Sequence, residues 1–188
     1  MSLGAADTSV SATFRSPHRL SLCHHNPMRT ALILLGGILA LSAQPPPSPF
    51  ISRNVCPFEC CTYGDWTAAQ ETPLYDAPGG QVTGAIHKGQ HVTGVTGEVH
   101  TPRPARFVLK SGDREHGIPA GAVVYALHAL GEGYCKVWYK GRTYDVDASD
   151  SAVPDFDTVW WAKVRLRDGK TGWVSMNEAK FNNVDACG

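Results

Sequence analysis

Five cysteines lie in the C-terminal three-quarters of the chain, at Cys56, Cys60, Cys61, Cys135 and Cys187, and they are the residues most able to do chemistry. The run Cys56-Pro57-Phe58-Glu59-Cys60-Cys61 has the look of half a zinc site. Adjacent cysteines on an extended chain point to opposite faces, however, and the second cysteine pair of a structural zinc site is missing. Disulfide formation is the better use of these residues. Cys135 would need a neighbouring histidine, held by a third group, to act as a nucleophile. It alternates with Val137 in an apolar strand pattern, which makes it a small buried hydrophobe. His87 and His91 have helical metal spacing, but Gly89 lies between them, and on a strand they would sit about 13 Å apart, too far for one ion. Together with His100, His116 and His128 they read as scattered surface or half-buried residues. Asp145-Val146-Asp147-Ala148-Ser149-Asp150 opens like a calcium loop, but Asp150 stands where the loop needs glycine and Phe156 where it needs a bidentate glutamate. No metal or cofactor is expected. Trp138, Tyr139, Tyr144, Trp160 and Trp161 remain as candidates for an aromatic binding surface, because rigid apolar faces bind sugar rings and peptide stems at little entropic cost. Of these, Trp161 and Tyr139 are expected to lie partly exposed and near one another.

The compartment decides how the cysteines behave. Met28-Arg29-Thr30, the apolar run from Ala31 to Leu41, and the small residues Ser42 and Ala43 form the pattern of a signal peptide. The apolar part is too short for the roughly 20 residues of a spanning helix. Residues 28–43 are therefore read as a cleaved leader, with cleavage after Ser42 or Ala43, and residues 1–27 as a disordered or untranslated extension. No stable membrane span is expected after cleavage. The mature protein is expected to be secreted or periplasmic, where five cysteines allow two bridges and one free thiol. Cys187 is the last residue but one of a polar tail that no core is expected to hold, so it is expected to bridge back to the cluster at 56–61. Cys60 and Cys61 should face different ways, so at most one of them suits Cys187.

The elements that must position these residues read as strands. Gln44-Pro45-Pro46-Pro47-Ser48-Pro49 forms a polyproline tether within a linker at 44–55. Beyond Cys56 the chain is rich in glycine, β-branched and aromatic residues and holds no helical period for three turns. An all-β fold follows. Lys140-Gly141 is expected to turn a two-residue hairpin pairing Lys136 with Asp145 and Trp138 with Thr143. Asp168-Gly169 is expected to turn another, pairing Arg167 with Lys170 and Val164 with Trp173, with Ala162, Val164 and Leu166 inward. Charge is balanced, with 17 Lys plus Arg against 17 Asp plus Glu. That argues against a nucleic-acid binder, which normally shows a basic face and a high isoelectric point.

Lys88-Gly89-x-x-Val92, Gly133-Tyr134-Cys135-Lys136-Val137 and Gly169-Lys170-Thr171-Gly172-Trp173-Val174 resemble the bacterial SH3-like family. The resemblance spans roughly residues 72–181 and implies small SH3-like β-barrels. The region 56–117, made of the cysteine cluster and a first module, would lack its own closing Gly-Trp-Val and be degenerate; a second module, at 118–188, would carry it together with the C-terminal cysteine. The two could equally form one enlarged barrel. Members of that family attach to peptidoglycan or pack beside cell-wall hydrolases. The resemblance thus implies an extracytoplasmic binding module for cell-wall material or an envelope protein. A structural accessory without its own ligand and a cryptic cell-wall hydrolase are the alternatives. No Gly-x-Ser-x-Gly, phosphate loop or His-Glu-x-x-His is present to mark an enzyme.

Overall fold

The computed structural model describes residues 44–187. The leader and signal peptide read from the sequence lie outside the described residues. The described chain is all-β, with twelve strands and no helix.

Strands β1 (Phe50–Arg53), β2 (Gly64–Ala68), β3 (Thr72–Tyr75), β4 (Val82–Ile86), β5 (His91–Thr101), β10 (Val159–Arg165), β11 (Thr171–Ser175) and β12 (Phe181–Asn182) form one sheet in the order β12-β2-β5-β10-β11-β3-β4. The long strand β5 organises it. Its first half pairs with β2 on one side and its last four residues pair with β1, while β10 runs along the other side. The sheet curls, so that alternate residues of six strands meet in one core of Trp66, Ala68, Leu74, Ile86, Val92, Ala162, Val164 and Val174, closed by Ala179 and Val184. Period-two alternation in each strand produces this inward set. The largest member, the Trp66 indole, is wholly buried, and it fits because Gly94 offers no side chain where the ring passes. A Cβ there would lie 2.7 Å from Trp66 Cζ2.

Strands β6 (Ala105–Leu109), β7 (Ala122–Gly131), β8 (Tyr134–Tyr139) and β9 (Arg142–Asp147) form a second, antiparallel sheet in sequential order. Its core contains Phe107, Leu109, Ile118, Val124, Ala126, Cys135, Val137 and Val146. The expected boundary between residues 117 and 118 therefore requires correction, because it falls in the connection between two paired strands, β6 and β7. Strands expected in different modules also pair directly: β5 with β10, and β2 with β12. The four-stranded sheet is an excursion between the two halves of the larger one. Glycine-turn motifs specify hairpins, which are local, whereas pairing across a long stretch of intervening chain depends on the shared core.

The Lys140-Gly141 hairpin has the expected register, Lys136 to Asp145 and Trp138 to Thr143. Both turn residues have positive φ, 47° and 84°, as the two-residue turn requires. The other hairpin differs by one residue. Lys163 pairs with Trp173 and Val164 with Gly172. Leu166 N–H donates to the Lys170 carbonyl, leaving a three-residue loop in which Gly169 takes positive φ and Asp168 does not. Ala162 and Val164 still point inward, but Trp173 lies on the opposite face, under the Lys163 ammonium.

Both disulfides involve the cysteine cluster. Cys60 joins Cys187, as expected for the C-terminal tail, and Cys61 joins Cys56. The neighbours Cys60 and Cys61 thus serve different partners, in keeping with their opposed directions.

Candidate functional site

The five aromatic candidates do not assemble into one platform. Trp161 is buried at 8% exposure and packs edge-on against Tyr75, at 5.2 Å between ring centroids. Tyr139 is half-buried at the end of β8 in the other sheet, with the Lys140 ammonium 5.1 Å from its ring. The expected exposed pair of Trp161 and Tyr139 is corrected accordingly. Trp161 follows Trp160 on β10, and its inward neighbour Ala162 fixes which face each indole takes. Trp160 packs edge-on against Phe58 at 5.7 Å, and Tyr144 lies beside the His116 ring at 5.1 Å.

Trp138 has a different role. Its ring meets Phe50 edge-on at 5.8 Å, and its indole N–H donates to the Gln44 carbonyl at 2.9 Å. Pro46 is buried, and the Ser48 hydroxyl donates to the Pro102 carbonyl at 2.6 Å. The proline-rich segment is therefore a strap fastened to the fold, which corrects its reading as a free tether. It continues into β1, so Phe50 on the larger sheet and Trp138 on the smaller one are brought together. The Thr101 hydroxyl makes a second link, donating to the Leu127 carbonyl.

The titratable residues are dispersed. Cys135 is a buried thiol beneath the His128 carbonyl, and burial pushes its pKa up to about 11. Almost none of it is thiolate at neutral pH, so nucleophilic use is disfavoured. His128 is only 2% exposed, not half-buried as expected. Its Nδ1 faces the Ala129 carbonyl at 3.1 Å, its Nε2 is buried without a hydrogen-bond partner among the described residues, and burial lowers its pKa. His116 is exposed; its bond to Asp113, 2.7 Å from Nδ1 to Oδ2, raises its pKa. His87 pairs with Glu71 and His100 with Glu98. On β9 and in the turn after it, which the calcium-loop comparison took together, Asp145 pairs with Lys136, Asp147 accepts from the Ser149 N–H, and Asp150 accepts from Ser111 and Ser151. These carboxylates serve separate local contacts. Cys60, Asp185 and Cys187 offer three convergent donor atoms, but the two sulfurs are joined to each other.

A site that sequence reasoning missed lies on the outer face of β2, β5 and β10. Asp65, His91, Thr93, Arg165, Leu166, Arg167 and Asn183 surround an open cleft of about 370 Å³. Register builds it: Asp65 pairs with Thr93, and Thr93 with Arg165, so the three form one row across three strands. Val92 and Val164 point into the core, which turns His91, Thr93 and Arg165 outward. The three-residue hairpin loop presents Arg167 beside them, and Asn183 follows β12. The His91 Nδ1 lies 3.3 Å from the Thr67 hydroxyl. Neither Arg165 nor Arg167 has an ion-pair partner among the described residues, and Asp65 lies across the row from Arg165 with Thr93 between them. The cleft thus carries guanidinium donors at one side and a carboxylate at the other. Alternating polar residues were visible in each strand, but nothing local shows that β2 and β10 flank β5.

The chain matches no protein-family model, no curated protein and no solved structure.

Proposed function

We propose that this chain is a non-enzymatic, extracytoplasmic binding protein whose ligand is cell-wall material of the peptidoglycan type. The observation that carries the reading is the cleft of β2, β5 and β10, lined by two arginines that have no ion-pair partner among the described residues and by Asp65, across the row from Arg165. A guanidinium holds a carboxylate through two parallel N–H bonds, and a carboxylate holds an amine. Peptide stems bearing both groups match such a cleft, and Thr93 and Asn183 suit sugar hydroxyls and amides. Two further features support this reading. Two disulfides suit an oxidising compartment, and the buried, high-pKa Cys135 is ill-placed as a nucleophile. The SH3-like reading belongs to the same proposal, supported by the Gly169-Lys170-Thr171-Gly172-Trp173-Val174 hairpin and the curled sheet that it helps close.

Co-sedimentation with purified sacculi tests it. Hydrogen bonds to charged groups are worth about 1.5–3 kcal/mol each. The Arg165→Ala/Arg167→Ala double variant should therefore lose binding by more than about ten-fold. Arg103→Ala, removing an exposed arginine paired with Asp157, should bind like the unaltered protein. Equal sedimentation of the double variant, or no sedimentation of the unaltered protein, overturns the proposal.

A further inference from the structure

We propose that Gln44 becomes the mature N-terminus and closes to a pyroglutamyl ring. The inference rests on the export reading and goes beyond it to a specific covalent modification. Leu41-Ser42-Ala43 places a small residue immediately before Gln44, so hydrolysis of the Ala43–Gln44 peptide bond by a signal peptidase releases a chain beginning with glutamine.

The geometry leaves that residue free to react. What the fold uses of Gln44 is its carbonyl oxygen, which accepts from Trp138 Nε1 at 2.9 Å. Its side chain is exposed, and no hydrogen bond to its carboxamide is made among the described residues. The chain beyond is held by the buried Pro46 and by the Ser48 hydroxyl on the Pro102 carbonyl. Once the terminus is released, the α-amino nitrogen attacks the side-chain Cδ. A new C–N bond forms, the Cδ–Nε2 bond breaks, and the departing nitrogen takes a proton from the amine and leaves as ammonia. No oxidant, reductant or further reactant enters. Amine and carboxamide belong to one residue, so the reaction gains the high effective concentration of an intramolecular step. The product keeps the carbonyl that Trp138 holds and replaces a charged, strongly hydrated ammonium with a neutral lactam.

The test uses the full-length precursor expressed in a secreting host, with the extracytoplasmic protein digested and its N-terminal peptide read by tandem mass spectrometry. The expected peptide begins at residue 44, is lighter than the glutamine form by one ammonia, and takes up no amine-directed label at its terminus. A Gln44→Asn variant should begin at the same residue but keep a free, labelled amine. A peptide beginning at Gln44 whose amine persists through prolonged incubation overturns the cyclisation and leaves export standing. A terminus at another residue overturns cleavage after Ala43. Protein that stays in the cytoplasm with residues 28–43 attached overturns the export reading itself, and this inference with it.

Discussion

At the scale of single residues, His128 and His116 pull stability in opposite directions with pH. His128 is buried and its pKa is lowered below the ordinary histidine value, so the unfolded chain binds its proton more readily than the folded one. Stability from this group is fully present above about pH 6.5 and falls away as pH drops through that value towards the folded pKa. His116 behaves inversely: its bond to Asp113 raises its pKa, so its contribution is present below about pH 6.5 and is lost as pH rises through the folded value. Burial makes the first effect the larger, because His116 is exposed and its pair is screened. Urea midpoints measured from pH 5 to 8 should therefore rise with pH, and His128→Gln should flatten that rise. A midpoint that falls over the range would show that His128 is not the controlling group.

Among the elements, the two hairpins show how much one turn residue decides. Lys140 sits at φ 47°, a left-handed conformation that costs most L-residues about 1–2 kcal/mol and that asparagine tolerates. Lys140→Asn gives up the ammonium over the Tyr139 ring, worth about 0.5 kcal/mol at an exposed site. Relief of the turn exceeds that loss, so the variant should be more stable by roughly 0.5 kcal/mol, read as a higher urea midpoint with an unchanged slope. A lower midpoint would mean that the cation over the ring outweighs the turn. In the Asp168-Gly169 hairpin, Asp168 instead accepts the Lys170 N–H at 3.0 Å and only Gly169 goes left-handed. Asp-Gly is compatible with both the two- and the three-residue loop. The flanking strands selected the longer one, in which Gly172 lies over Leu74 and Trp173 faces away from the core.

For the molecule as a whole, the Cys60–Cys187 bridge spans 127 positions and ties the C-terminal tail to the start of the folded region. Val184 is buried nearby in the larger core, and the Thr62 N–H donates to its carbonyl, which corrects the expectation that no core would hold this tail; the bridge fastens a tail that packing also holds. In the chain-entropy model a loop of this size contributes up to about 5 kcal/mol, comparable with the lower end of whole-domain stability. Cys187→Ser should lower the unfolding free energy by a large part of that amount. Cys56→Ser, opening a loop of only 5 positions, should cost clearly less. Equal losses for the two variants would show that local packing at the cluster, not loop closure, is the source of stability.

The all-β character, the Lys140-Gly141 register, the inward direction of Ala162 and Val164, the buried Cys135 and the bridge from Cys187 to the cluster were legible in the sequence. Each depends on alternation, on turn chemistry, or on a polar terminus that needs fastening, and all of these act over short stretches or through a chemically distinctive side chain. Tertiary structure decided the rest. It made β5 the shared partner of β1, β2 and β10, laid the proline-rich strap on Trp138, buried Trp161 and His128, and brought Asp65, His91, Arg165 and Arg167 around one cleft. The physical reason is that strands pair wherever their apolar faces close a common core. Any alternating strand satisfies the local rule, and only the competition among all of them determines which become neighbours.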